Sequence, residues 1–276
     1  MRIDSHQHFW KYDPHKHSWI DDTMAILKND FLPQHLQPLL QQQQLDGCVT
    51  VQCETNTDEI HSMLQYAQQN SFIKGVVGWI DFTLENVEKE LEYFSQFPLL
   101  KGFRHVVQNE PDDRFLLRKD FCNGIAQLSK YNFTYDILIF PHQLPAAVEF
   151  AAMFPNQKFV LDHIAKPNIA NGETEPWRRY IIELGKLPNV YCKLSGMVTE
   201  ASWHTWKQED YLPYIETVFE AFGTKRMMFG SDWPVCQVAA TYQQVYNIAD
   251  QFVSKLSLDE QNDFWGNNAA TFYQLK

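Results

Sequence analysis

The sequence predicts an α/β chain folded as a (β/α)8 TIM barrel, one domain spanning residues 1–276. Three observations carry that expectation. Eight short apolar runs read as strands, at 2–9, 47–53, 73–80, 100–107, 133–140, 158–164, 190–194 and 226–230. Helical patterns lie between them. The runs start about 32 residues apart on average, the length of one strand plus its crossover helix. Eight such units in a chain of this length are the arithmetic of a barrel. An open doubly wound sheet is the rival, but neither G-x-G-x-x-G nor G-x-x-x-x-G-K-[ST] occurs. A G-x-S-x-G elbow is also absent, which speaks against a serine hydrolase.

The connecting segments follow the same logic. Residues 41–44 are four glutamines and read as a polar helix face. Leu84, Val87, Leu91, Phe94 and Phe97 recur at three- and four-residue steps, which predicts one helix with one apolar face. Ile215, Val218, Phe219 and Phe222 repeat the pattern, and Gly223 is placed to stop that helix.

Composition narrows the function classes. Apolar residues make up 45% and charged residues 21%, which excludes disordered, collagen-like and coiled-coil chains. The aromatic share of 14% favours an aromatic-lined pocket or a dense core. A net charge of −11 disfavours binding to nucleic acid or to an anionic membrane surface. The sequence starts MRIDSHQHFW, without the apolar run of a signal peptide, and no stretch has the length of a membrane span. The five cysteines, Cys48, Cys53, Cys122, Cys192 and Cys236, form no C-x-x-C pair, and four of them sit in apolar runs. Buried free thiols in a reducing cytoplasm are expected. Asn132-Phe133-Thr134 matches a glycosylation pattern by chance, inside a strand-like run.

In a (β/α)8 barrel the chemistry sits at the C-terminal ends of the strands. The first run ends in His6-Gln7-His8, whose two imidazoles share one face of a strand. Asp4 lies on that face one step deeper and is expected to orient them. The fourth run carries Arg104 and His105, the sixth ends in Asp162-His163, the seventh carries Lys193 and the eighth leads into Asp232. Charged residues inside apolar strands are costly unless paired or functional. Four strands of one barrel carrying them near the same end point to a site. His6, His8, His163 and Asp232 are the ligand types of a mononuclear zinc centre. An aspartate beside it can take a proton from attacking water.

Longer strings carry a resemblance. DSHQHFW, LKGFRHVVQNEPDDRFLLR, FVLDHIAKP, CKLSGMVTEA and MFGSDWPV occur in this order along nearly the whole chain. Together they resemble the sugar-lactonase branch of the amidohydrolase superfamily, whose members open L-fucono- and L-rhamnono-lactones. The resemblance implies a cytoplasmic aldonolactone hydrolase of deoxysugar breakdown, with a small sugar lactone as its partner. Superfamily members often bridge two divalent ions with a carboxylated lysine or a glutamate. The fourth run offers Arg104 and His105 instead, so one zinc or none is expected, with both alternatives open.

Asp232 is then expected to be the general base, with His6, His8 and His163 polarising the carbonyl. Lys193 with Arg104 or His105 would bind hydroxyls and the nascent carboxylate. Gln52, Asp136 and Trp233 are further substrate-contact candidates. Only one of Tyr135 and Asp136 can face the barrel interior. Trp10 and Trp19, in the first long loop, either wall the pocket or pack in the core. Glu54 is expected to be a solvated loop acid, and His142, His15, His17, His35, His61 and His204 surface residues. A metal-dependent decarboxylase keeps the fold and changes the reaction, and a non-catalytic sugar-acid binder is a rival of another class. No interface patch is legible, so self-association stays open.

Overall fold

Alternating inward and outward residues in short, buried strands determine what this barrel presents at its mouth. The computed structural model of the chain describes residues 1–276. The strands are β1 (Ile3–Gln7), β2 (Gly47–Val51), β3 (Ile73–Gly78), β4 (Leu100–His105), β5 (Thr134–Ile137), β6 (Phe159–Leu161), β7 (Val190–Leu194) and β8 (Met227–Phe229). All neighbours are parallel and the spatial order is the sequence order. The ring closes between β1 and the segment after β8. Asp232 N donates to His6 O (2.8 Å) and His8 N to Trp233 O (2.7 Å).

The outer layer holds α1 (Pro33–Gln42), α2 (Asp58–Gln69), α3 (Val87–Phe94), α4 (Lys119–Ile125), α5 (Leu144–Met153), α6 (Trp177–Gly185), α7 (Leu212–Phe222), α8 (Tyr242–Val253), α9 (Leu258–Asn262) and α10 (Asn268–Tyr273). The stop at Gly223 is as expected, with φ of +66° after the last turn of α7. The helix expected around residues 84–97 is shorter. Asp81 accepts the Thr83 amide at 2.9 Å and holds a turn there. Leu84 remains 43% exposed before α3 begins.

Several apolar runs overshoot their strands. In the sixth and eighth, the last residues leave the sheet and become the loops that carry His163 and Asp232. The barrel interior is plugged low down by Ile3, Val49, Val77, Val160 and Met228, capped by Phe272 and Tyr273 of α10. At or just above this plug, inward positions of β4, β5 and β7 are charged. The register sets Arg104 against Asp136, Asp136 against Val160, and Lys193 against Met228. Tyr135 faces outward and packs on Phe82, Phe121 and Phe150. All five cysteines are free and all but Cys53 are buried. No helix is long and apolar enough to cross a membrane.

Candidate active site

Three histidines and one aspartate converge where the strands end. His6 Nε2 lies 3.2 Å from His8 Nε2, and Asp232 Oδ1 lies 3.4 Å from His8 Nε2. Asp232 Oδ1 is also 3.8 Å from the Nε2 atoms of both His6 and His163. His8 Nδ1 faces the Val51 carbonyl at 2.8 Å, which can only accept. That contact fixes the ring plane and turns Nε2 toward Asp232. His163 Nδ1 meets Ser195 Oγ at 2.9 Å. A Cβ at Gly196 would lie 2.5 Å from this ring nitrogen, and Gly196 has φ of +63°, so glycine is required beside it.

Beneath them lies a buried ion network. Lys193 Nζ contacts Asp136 at 2.5 Å, Asp162 at 3.0 Å and His6 Nδ1 at 3.1 Å. Arg104 donates to Asp162 Oδ2 at 3.1 Å, and its other terminal nitrogen donates to the Gln52 carbonyl. His6 Nδ1 also lies 3.3 Å from Asp162 Oδ1. Either tautomer of His6 therefore finds a partner, the Lys193 ammonium for a bare Nδ1 or the Asp162 carboxylate for a protonated one.

Burial sets the electrostatics. It pushes the Asp232 carboxyl up, but His163, His8 and Lys166 outweigh it and hold the group below the usual carboxylate range. Burial drives the basicity of His6 and His163 well down. Asp162 is pulled well below its ordinary value despite burial, by Lys193, His6 and Arg104. Asp136 goes the other way, raised by burial against the pull of Lys193.

The donor set fits one small divalent ion. The facing atoms of His6, His8 and Asp232 are 3.2, 3.4 and 3.8 Å apart, a spacing that a tetrahedral ion can bridge. A second centre at His6, Asp162 and His163 would meet the Lys193 and Arg104 cations already held by Asp162.

A cavity of about 810 Å³ opens above this floor. His8, His163, Asp232, Arg104 and Gln52 line its base. Trp10, Trp19 and Trp203 wall it, so both first-loop tryptophans reach the pocket. Lys16 and Glu54, His105 and Glu110, and Lys166 and Glu200 ring its mouth in pairs.

Several expected contacts fall elsewhere. Lys193 and Asp136 are fully buried below His6 and do not reach the cavity, because register sets them at or just above the apolar plug. Trp233 packs edge-on against Phe9 and Phe31 behind the site. Asp4 does not share the histidine face. The β1–β2 register shifts between Asp4 and Gln7, which breaks the alternation. Asp4 instead accepts the His6 and Ser231 amides and the Tyr242 hydroxyl. His105 lines the cavity with both ring nitrogens engaged. Trp79 donates to its Nδ1 at 3.0 Å, and its Nε2 donates to Glu110 at 2.7 Å. Glu54 is half-buried and tied to Lys16 rather than free in solvent. His17 is buried between Trp10 and Tyr12, because the first loop folds back on itself. His15, His35, His61, His142 and His204 are exposed as expected.

Sequence reasoning left Asp162 without a role, although it was a lone acid in an apolar strand. It also passed over Lys166, Glu200 and Glu110, which look like ordinary loop charges until the loops converge.

Comparison with known proteins agrees with this geometry. An amidohydrolase family model matches residues 3–275. A curated L-fucono-1,5-lactonase of Burkholderia multivorans is 39% identical, covering 100% of this chain and 96% of its own. Another from Burkholderia ambifaria is 34% identical over 100% of this chain and 96% of its own. A crystal structure of an amidohydrolase from Burkholderia multivorans with bound zinc superposes with a TM-score of 0.96, at 38% identity and covering 100% of both chains. On its family match, its barrel and its histidine–aspartate centre, the chain belongs to the amidohydrolase family.

Proposed function

We propose that this protein hydrolyses the lactone of a sugar acid to the free aldonate. L-fucono-1,5-lactone is the first candidate and an L-rhamnono-lactone the second. The observation that carries this reading is Asp232, whose Oδ1 lies 3.4–3.8 Å from the Nε2 atoms of His6, His8 and His163 at the base of an open cavity of about 810 Å³. The full-length similarity to two L-fucono-1,5-lactonases supports it.

In the proposed reaction the lactone carbonyl sits over His8 and His163, and water approaches from the Asp232 side. The water oxygen bonds to the carbonyl carbon while Asp232 takes its proton. The ring C–O bond then breaks and Asp232 returns that proton to the leaving oxygen, giving a hydroxyl and a carboxylic acid that ionises. A zinc ion held by His6, His8 and Asp232 would polarise the carbonyl and acidify the water. The two-way partnering of His6 Nδ1 suits the site with one zinc or with none. A developing oxyanion gains about 3–4 kcal/mol from each well-placed donor. Five free thiols fit a reducing, cytoplasmic setting.

The test is a pH-indicator hydrolysis assay on L- and D-sugar lactones, with and without a strong chelator, on protein of known zinc content. Rapid hydrolysis of an L-fucono- or L-rhamnono-lactone is the expected outcome. Activity lost to chelator and restored by zinc assigns the metal, and activity indifferent to chelator assigns the histidines alone. No hydrolysis of any lactone overturns the reading, and carbon dioxide release from an acid would then identify a decarboxylase.

A further inference from the structure

The loop after β6 is built in an unusual way. His163, Ile164, Ala165 and Lys166 have φ of +54°, +49°, +59° and +50°, a left-handed turn made without glycine. Each non-glycine residue so placed costs on the order of 1 kcal/mol. The turn is held by Lys166 N donating to His163 O at 2.8 Å and by Trp177 Nε1 donating to Ile164 O at 2.7 Å. Ile164 and Ala165 are fully buried, while His163 and Lys166, one turn apart, both line the cavity. The conformation delivers two side chains to one place.

The cations of the cavity differ in what they already hold. Lys16 donates to both oxygens of Glu54, at 3.2 and 3.1 Å. Arg104 is committed to Asp162 and Gln52. Lys166 Nζ stands 3.6 Å from Glu200 Oε1, outside hydrogen-bond distance, and 5.6 Å from the centre of the Phe140 ring. Its ammonium has donors to spare, beside Asp232. Hydrolysis turns a neutral lactone into an anion in a cavity already lined by Asp232, Glu54, Glu110 and Glu200. That anion needs a cation not already spent.

We propose that Lys166 is a substrate-binding residue that receives the carboxylate as it forms, turning from Glu200 to the product. This rests on the lactonase reading. Glu200 then acts as a positioning residue that holds the ammonium before turnover and competes with the product for it.

The test compares wild type, Lys166→Met, Lys166→Arg and Glu200→Gln in lactone hydrolysis and in calorimetric binding of L-fuconate. Lys166→Met is expected to weaken fuconate binding at least tenfold and to lower kcat/KM by a similar factor. Lys166→Arg should recover most of the fuconate affinity. Glu200→Gln should move the other way and tighten fuconate several-fold, which a merely structural role would not do. Unchanged fuconate affinity in Lys166→Met, with its melting temperature retained, overturns the proposal. So does wild-type protein that binds no fuconate at millimolar concentration. Should wild type bind fuconate through Lys166 yet hydrolyse no lactone, the carboxylate site stands and the lactonase reading falls. If Lys166→Met does not fold, the opposite shifts expected of Lys166→Arg and Glu200→Gln decide the matter.

Discussion

The floor and the mouth of this barrel hold comparable numbers of charges under opposite physical conditions. On the floor, Lys193, Asp136 and Asp162 are fully buried, and Arg104 nearly so. Water cannot screen them, so each must find its partner within the protein. At the mouth, Lys16 is 56% exposed and Glu54 13%, and a single pair joins them. The floor fixes the position and charge of His6. The mouth charges keep part of their surface in solvent. The difference teaches that the same residue types form a closed ion network in one layer and line an open cavity in the next, and that burial decides which.

Substitutions can sharpen or break that contrast. The largest effect is expected from Lys193→Met, which leaves Asp136 and Asp162 short of their shared cation. A stability loss of about 3–5 kcal/mol in denaturant unfolding is expected. A loss below about 1 kcal/mol would mean that the floor is not a coupled network. Next is Asp232→Asn, which keeps the shape and removes the proposed base. Turnover should fall by two to three orders of magnitude or more, with the melting temperature retained. Near-normal hydrolysis would end the role assigned to Asp232.

Glu59 lies between the two regimes. It accepts the Cys53 and Glu54 amides, each at 2.9 Å, and so holds the loop that carries Gln52 to Glu54. Burial pushes its carboxyl from 4.5 up to about 7. The folded state therefore binds a proton that the unfolded chain releases above pH 4.5. Stability from this group is full below 4.5 and is lost as pH rises toward 7, by roughly 3 kcal/mol. Glu59→Gln cannot ionise, so unfolding measured across pH 4.5–7 should lose that slope. An identical slope in the variant would show that Glu59 is not its source. The smallest effect belongs to Lys16→Met, which breaks a pair whose lysine is 56% exposed and should cost no more than about 1 kcal/mol. A larger loss would make the mouth as rigid as the floor.

Much of the site was legible before folding. His6, His8, His163 and Asp232 are charged or imidazole groups at the ends of apolar runs, a pattern with few structural explanations. Lys193 and Asp136 were legible as buried charges but not as members of the floor, because only inter-strand register says at what height a side chain enters the barrel. Asp4 was misread for a related reason. A register shift within β1 cancels the two-residue alternation from which its facing was inferred.

By itself the sequence determined the strand count, the helix alternation and the membership of the His6, His8, His163 and Asp232 cluster. Each follows from local periodicity and from the cost of burying polar groups, which act over a few neighbouring residues. Only the tertiary structure decided which charges pair, which face solvent and which loops meet. Lys166 and Glu200 are 34 positions apart in the chain and 3.6 Å apart in the fold. No local rule relates them, because barrel closure and the left-handed turn after β6 bring them to one cavity.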